Sequence, residues 1–392
     1  MLLWYCKESG PTERIAVNFD YTDEQKALKD EARRFLAAVS PLAVVRASLE
    51  NPAAGYDQAL WQRIGEQGWC GAAIPEEFGG IGMGYVELCA LAEELGRSLA
   101  PVPFASTVYQ FAEALLLAGS SEHKAALLPQ VAQGSLIGTL AVSEGPGVLT
   151  AERIATRFAD GKLTGVKLPV TDGLAADQAI VLANSDQGPG LYLVDLTGEG
   201  IERAFVSTID PTRGEARIAF ANAPAQPLGL PGGGLALLSR IQDRAAILVA
   251  FEQLGGADRA LEMARDYALE RYAFGRPIGS YQAIKHKLAD VFIRNEVARA
   301  NAYYGAWALS TDAPELPLAA AAARVAGSNA YLLASRENIQ THGGIGFTWE
   351  ADCHFFYRRA RHLGLILGAP RDWKRRLADR LETRVALEGQ QP

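Results

Sequence analysis

The sequence predicts an α+β protein in which a small β-domain lies between two helical regions. Three observations support this: helical periodicity over residues 19–135, short strand-like segments over 136–230, and helical periodicity again over 231–388. We therefore predict three domains with these bounds. Residues 1–18 have a short apolar start but no basic n-region and no long h-region, so we expect a leader outside the folded core.

Composition narrows the class of protein. The chain has 392 residues, of which 49% are hydrophobic and 21% charged, which is typical of a globular protein with a sizeable core. A net charge of -7 argues against a nucleic-acid partner. No apolar run approaches the ~20 residues of a membrane-spanning helix. The cysteines are far apart and form no C-x-x-C pair, which predicts reduced thiols in a cytoplasmic protein; they are Cys6, Cys70, Cys89 and Cys353.

The first helical region begins at a capping box. Thr22 is followed three residues later by Gln25, and the helix that they open should end at Pro41. Its apolar stripe consists of Leu28, Ala32, Phe35, Leu36 and Val39. Further helices are predicted over 57–67, 85–97 and 107–118, and the last is so apolar that we expect it to be buried.

The middle region has the pattern of a β-domain. Strands are predicted over 153–159 and 162–168, and Asp160–Gly161 between them is a strong signal for a type I′ hairpin turn. Four more strand-like segments are separated by Gly, Pro, Asn and Asp, namely 179–183, 191–195, 201–206 and 216–220.

The last region is helical from Gly232 to Glu388, with a loop over 312–317 and two glycine-rich breaks. The first break runs from Arg271 through Gly275 to Gly279 and contains Arg276 and Pro277. Arginines beside a Gly/Pro turn could bind an anionic group such as a phosphate, although an ordinary surface corner has the same spacing. The second break contains Gly343, Gly344 and Gly346.

Together these two breaks resemble the acyl-CoA dehydrogenase family. Glu270 to Asp290 matches the family's ER-x-x-FG-x-PIG-x-x-Q-A-x-x-x-x-LAD motif, and Gln340 to Phe347 matches its Q-x-x-GG-x-G-F/Y motif. Ile74 to Gly80 also matches the family's I-P-E-E-x-GG turn. The resemblance extends from about residue 19 to about residue 387. It implies an N-terminal α-helical domain, a middle β-domain and a C-terminal four-helix bundle.

The resemblance also implies a function. The family uses FAD to oxidise the Cα–Cβ bond of an acyl-CoA thioester, passes the electrons to an electron-transfer flavoprotein, and assembles as homo- or hetero-oligomers, dimers or tetramers. The residues at cofactor-binding positions of the family are Ser143, Thr171, Arg271, Phe274, Gln340, Gly343 and Gly344. Of these, Arg271 and Phe274 would contact the FAD of a neighbouring subunit. The guanidinium group of an arginine can donate two hydrogen bonds to a pyrophosphate, and glycines let the backbone come close to it.

Three departures from the family pattern stand out. Pro169 replaces the tryptophan that often covers the flavin ring, and the E-P-x-A-GSD loop is present as Glu144 to Leu149 without GSD. Most importantly, Leu367 stands at the position of the catalytic glutamate, and Ala245 stands at the known alternative position. Neither side chain can accept the α-proton of a thioester.

Two carboxylates near these positions are alternative candidates for the base. Asp243 and Glu252 share the helix of Ala245. Glu252, seven residues away, lies on nearly the same face, whereas Asp243, two residues away, faces away. Helix capping or an interface ion pair is the more ordinary role for both. We assign no metal, because Asp352 and His354 diverge on an expected helix and His342 suits a packing or hydrogen-bonding role.

Three functions remain open from sequence. The first is an FAD-dependent acyl-CoA dehydrogenase subunit, closest in character to the base-lacking subunits of heteromeric, steroid side-chain type acyl-CoA dehydrogenases. The second is a structural flavin-fold partner without chemistry of its own. The third is a flavin oxidase similar to nitroalkane oxidase.

Overall fold

A computed structural model describes residues 21–51 and 55–388; the expected leader over 1–18 and Cys6 lie outside the described residues. The predicted order of helices, sheet and helices is confirmed. The N-terminal helices are α1 (Asp23–Val39), α2 (Leu42–Glu50), α3 (Gln58–Glu66), α4 (Tyr85–Arg97), α5 (Glu113–Ala118) and α6 (Ser121–Ala132). A buried π-helical segment, Ala105–Ala112, precedes α5.

The capping box at Thr22 is present, with the Thr22 side chain accepting from the Gln25 backbone and the Gln25 side chain accepting from the Thr22 backbone. Two helices were not predicted. Pro41 ends α1 as expected, but it is also the N-cap residue of α2. Helix α6 begins at the Ser120 side-chain cap and contains Pro129.

The β-domain is one eight-stranded sheet. Its strands are β1 (Gly138–Ala141), β2 (Arg157–Ala159), β3 (Lys162–Thr171), β4 (Gln178–Ser185), β5 (Gly188–Asp195), β6 (Ile201–Val206), β7 (Glu215–Pro224) and β8 (Gln226–Leu228). The strand order is β6-β7-β3-β2-β4-β5-β8, and β1 pairs with β4 in parallel.

The predicted hairpin turn is confirmed, because Asp160 and Gly161 have φ of 50° and 74° and join the antiparallel strands β2 and β3. The first strand was predicted too long. A 3₁₀ turn occupies Ala151–Arg153, so β2 begins only at Arg157. Conversely, β3 continues beyond the expected end as far as Thr171, with a register shift between Lys167 and Val170.

The C-terminal bundle consists of α7 (Gly234–Glu270), α8 (Gln282–Ser310), α9 (Leu316–His342), α10 (Cys353–Leu363) and α11 (Pro370–Glu388). A small hairpin of β9 (Tyr272–Ala273) and β10 (Arg276–Pro277) separates α7 from α8. Helix α7 is buried along most of its length and contacts both α8 and α9, so it forms the centre of the core.

Helix α7 also packs closely on α4 in the N-terminal domain. An added Cβ at Gly96 would lie 1.9 Å from the backbone oxygen of Glu252, and one at Gly255 would lie 1.7 Å from that of Glu93. Only glycine allows two backbones to approach this closely. The crossing places Glu252 in the interior where the three domains meet.

Candidate functional site

The two glycine-rich breaks lie side by side on the surface of the bundle. The ring of Tyr267, in the last turn of α7, stacks on the ring of His342, at the end of α9, with their centroids 4.2 Å apart. His342 Nδ1 also lies 2.8 Å from the Asn338 carbonyl oxygen, so the packing and hydrogen-bonding role expected for it is confirmed. We call the surface formed by Arg271, Phe274, Gln340, Gly343 and Gly344 the clamp.

The clamp is open to solvent. Phe274 is 96% exposed, although its side chain is large and apolar. It also has a φ of 53°, a left-handed conformation that is unfavourable for a bulky residue. Strained, exposed positions of this kind cluster at binding sites. Arg271 and Gln340 are likewise exposed.

The glycines of the clamp leave room for a ligand. Gly343 has a φ of 65°, and a Cβ added at Gly343 or Gly344 would meet no protein atom within 4 Å. The backbone here can therefore approach a bound group, and the neighbouring break, joined to this one by the Tyr267–His342 stack, carries the positive charge of Arg271. These features fit the pyrophosphate of a dinucleotide such as FAD.

Thr171 and Ser143 lie in the β-domain rather than at the clamp. The Leu168 N–H donates to the Ser143 carbonyl oxygen at 2.8 Å, which places Ser143 beside the end of β3. The Ser143 hydroxyl lies 3.3 Å from the Gly145 backbone. Thr171, the last residue of β3, has its hydroxyl 2.9 Å from a carboxyl oxygen of Glu215 on β7. Pro169, in place of the expected tryptophan, is exposed.

The altered loop after Ser143 is anchored by Glu144. Its carboxylate accepts hydrogen bonds from the Ala155 N–H at 2.7 Å, the Thr156 N–H at 3.0 Å and the Lys167 ammonium at 2.6 Å. Although burial opposes its ionisation, these donors lower the pKa of Glu144 to about 2. Glu144 is therefore ionised at neutral pH and holds the loop against β3.

The two residues that the sequence resemblance places at the family's glutamate positions are both buried and apolar. Leu367 is 2% exposed, and its carbonyl accepts from the Trp373 indole N–H at 3.0 Å. Ala245 is completely buried in α7. Asp243 is paired with Arg380 at 2.8 Å, as expected for an interface ion pair. Burial raises the pKa of Asp243 to about 6, and Arg380 only partly offsets that increase.

Glu252 belongs to a buried ionic cluster that sequence analysis did not foresee. One carboxylate oxygen lies 3.5 Å from Arg213 Nη1 and 3.5 Å from Arg359 Nη1. Arg359 also donates to Asp210 at 2.6 Å, to the Thr212 hydroxyl at 2.7 Å and to the Leu99 carbonyl at 3.2 Å. The interface ion pair expected for Glu252 is thus present.

Next to this cluster lies a titratable pair. Glu215 Oε1 is 3.8 Å from His362 Nδ1, and both side chains are buried. Burial raises the pKa of Glu215 to about 8, with a further increase from Asp172, while Thr171 and Arg213 act in the opposite direction. Burial likewise lowers the pKa of His362 to about 3.

Three further observations concern metal binding, membrane crossing and the cysteine thiols. Within residues 21–51 and 55–388, no group of three or more His, Cys, Asp or Glu side chains is placed to hold a metal ion. In the same part of the chain no helix is both long and apolar enough to cross a membrane. Cys70, Cys89 and Cys353 are buried and carry free thiols.

Comparison with known proteins gives matches at both ends of the chain. Residues 22–135 match the model of the acyl-CoA dehydrogenase N-terminal domain, and residues 232–380 match that of the C-terminal domain. The acyl-CoA dehydrogenase IpdE2 of Mycobacterium tuberculosis is 35% identical over 356 residues, which cover 91% of this chain and 96% of the relative.

Solved structures give the same result for the fold. A variant of the Tcur3481-Tcur3483 steroid ACAD superposes with a TM-score of 0.84 at 30% identity, covering 93% of this chain and 99% of the other. The ChsE4-ChsE5 complex of Mycobacterium tuberculosis has a TM-score of 0.84 at 25% identity, with the same coverage of 93% and 99%.

Proposed function

Because this chain belongs to the acyl-CoA dehydrogenase family of FAD-dependent oxidoreductases, we propose that it is the base-lacking subunit of a heteromeric acyl-CoA dehydrogenase. The observation that carries the proposal is the buried Leu367 at the position of the family's glutamate. The partner subunit would be a relative that retains this glutamate.

In such an assembly the clamp holds FAD across the subunit interface. The Arg271 guanidinium would hold the pyrophosphate, Gly343 and Gly344 would let the backbone approach it, and Phe274 would contact the adenosine. This arrangement accounts for an apolar ring that is 96% exposed in a single chain. Ser143 and Thr171, which lie on the β-domain, would contact the flavin ring of an FAD bound to this chain.

Bound FAD supplies the acceptor for the hydride that leaves Cβ, while a carboxylate must take the α-proton. A leucine keeps the backbone N–H of position 367, which can polarise a thioester carbonyl as an oxyanion-type donor. It provides no carboxylate, and general-base catalysis is typically worth ~10² to 10⁴-fold. Glu252 does not replace the base, because Arg213 and Arg359 both hold its carboxylate.

We propose a bulky polycyclic acyl-CoA thioester as the substrate of the assembly and an electron-transfer flavoprotein as its oxidant. The polycyclic substrate is supported by a similar solved structure that is described as a steroid ACAD. The electron-transfer flavoprotein is supported by membership of the family. Three buried free thiols support a reducing, cytoplasmic compartment.

The test is to purify the chain alone and together with a relative that retains the glutamate, then follow anaerobic bleaching of the flavin by short, long and polycyclic acyl-CoAs. We expect a yellow complex that is reduced only when both subunits are present. Rapid reduction by the chain alone would refute the proposal and would require another carboxylate as base.

A structural partner without a working flavin site is the second candidate. The Glu144 loop favours it, because Glu144 ties the segment without GSD to β3. If the complex is active but binds flavin only through the clamp, with none facing Thr171, this candidate replaces the first.

A further inference from the structure

Thr171 and Glu215 are direct cross-strand partners at the ends of β3 and β7. Their side chains therefore lie on one face of the sheet, with Thr171 Oγ1 and Glu215 Oε1 2.9 Å apart. The Thr139 hydroxyl donates to the Thr171 carbonyl oxygen at 2.7 Å, which fixes the backbone of Thr171. The freedom that remains is the direction of the Thr171 hydroxyl proton.

The other carboxyl oxygen of Glu215, Oε2, is buried and has no hydrogen-bond partner among the residues that the structure describes. The charged and titratable groups around Glu215 come from several elements. They are Asp172 after β3, Asp210 and Arg213 before β7, and His362 on α10. The two acids raise the pKa of Glu215 and Arg213 lowers it, while burial makes the largest contribution and brings it to about 8.

His362 does not neutralise Glu215. Its pKa is lowered to about 3 by burial and by three arginines, Arg213, Arg359 and Arg324, so the ring is uncharged at neutral pH. Glu215 is thus a neutral carboxylic acid at pH 7 that becomes a carboxylate in mildly alkaline solution. Its charge can change within the range in which an enzyme works.

This change of charge determines what the Thr171 hydroxyl can do. A carboxylate only accepts hydrogen bonds, so Thr171 must donate its single proton to an ionised Glu215. A neutral carboxylic acid can itself donate to Thr171 Oγ1, which leaves the hydroxyl proton free for another acceptor. An oxidised flavin ring presents such an acceptor.

We propose that Glu215 is a positioning residue for the flavin, and that its protonation state decides whether the Thr171 hydroxyl donates to the flavin or to Glu215. The inference rests on the proposed function, in which Thr171 faces the flavin. In this proposal the Glu215 carboxyl group does not touch the flavin and acts on it only through the Thr171 hydroxyl.

The test is a pH titration of the visible flavin spectrum of the FAD-loaded protein, with its partner subunit if the complex forms, from pH 6 to pH 9.5. We expect one transition near pH 8 in the wild type and none in Glu215→Gln, which keeps the shape but does not titrate. Glu202→Gln, a change of an exposed glutamate on β6, should leave the transition unchanged. A transition near pH 8 that persists in Glu215→Gln belongs to the flavin itself and overturns the proposal.

The variant Thr171→Val shows whether Glu215 acts on the flavin through the Thr171 hydroxyl or directly through its own charge. If Glu215 acts through the hydroxyl, the transition disappears in this variant while flavin is still bound; if it persists, the proposal is refuted. A spectrum that does not change with pH in flavin-loaded wild type also overturns it, without touching the proposed function. Failure of this chain to bind any flavin, alone or in the complex, would overturn both.

Discussion

Glu215 Oε1 lies 3.8 Å from His362 Nδ1, yet the two residues do not form an ion pair at neutral pH. Burial holds the carboxyl pKa at about 8 and the imidazole pKa at about 3, so each group is uncharged between those values. In a water-excluded interior two neutral groups cost less than two ions whose hydrogen bonds are incomplete.

This arrangement predicts how Glu215 affects stability with pH. Its pKa rises from 4.5 in the unfolded chain to about 8 in the folded one, so the folded state keeps a proton that the unfolded state loses. The stabilisation is complete below about pH 4.5 and is lost as pH rises through about 8.

The measurement is urea unfolding of wild type and Glu215→Gln between pH 4 and 9. The free energy of unfolding of the wild type minus that of the variant should decrease with rising pH, at up to ~1.4 kcal/mol per pH unit in the middle of this range. A difference that stays constant or increases would contradict the assignment.

A second prediction concerns Arg359, which joins all three domains. It binds Asp210 before β7, Glu252 on α7 and the Leu99 carbonyl after α4. Arg359→Met would leave buried carboxylates without their main counter-ion, at a cost of ~3–5 kcal/mol. We expect a large decrease in the urea midpoint.

The matched control is Arg361→Met, which changes an exposed arginine on the same helix. It should alter the midpoint little. Equal effects of the two substitutions would mean that the buried cluster does not hold the domains together.

Local signals in the sequence predicted most of the fold. The Thr22 capping box and the Asp160–Gly161 turn each depend on neighbouring residues, and both are present. Helix α2 was missed because Pro41 was taken only as the end of α1, although a proline fits equally well at the start of the next helix.

The interior cluster could not be predicted in the same way. Arg359 and Asp210 are 149 positions apart, and Arg359 and Glu252 are 107 apart, so no short-range pattern joins them. The Thr171–Glu215 pair depends on the register of β3 and β7, which shifts between Lys167 and Val170. By contrast, the clamp residues could be named from sequence because they lie within two continuous motifs, and their role in binding FAD stays a prediction.

The clamp gives a third prediction. Arg271→Ala should weaken FAD retention by about 10- to 100-fold, because a charge-assisted bond to phosphate is lost, and it should weaken subunit assembly at the same time. Arg271→Lys should restore little, since an ammonium cannot reproduce the planar guanidinium fork. Flavin content after gel filtration and the elution volume are the two measurements.

Arg265→Ala is the control for this experiment. Arg265 is an exposed arginine one and a half turns earlier on α7, and in the described structure it pairs only with its neighbour Asp266. Its loss should change neither the flavin content nor the elution volume. Unchanged flavin occupancy in Arg271→Ala would remove Arg271 from the binding site.

The last prediction concerns the missing base. Leu367→Glu places a carboxylate at the family's catalytic position, in a buried turn where desolvation raises its pKa toward the range useful for proton transfer. If the substrate site is otherwise intact, acyl-CoA should reduce the flavin of the variant alone at least ~10²-fold faster than that of the wild-type chain, which is the lower end of what a general base contributes.

Leu365→Glu is the matched control. Leu365 lies two residues earlier and is 56% exposed, so a glutamate there should give no activity. A folded, flavin-loaded Leu367→Glu protein that acyl-CoA does not reduce would show that losing the carboxylate is not the only barrier. The Glu144 loop and Pro169, the other two departures from the family pattern, would then be the positions to restore next.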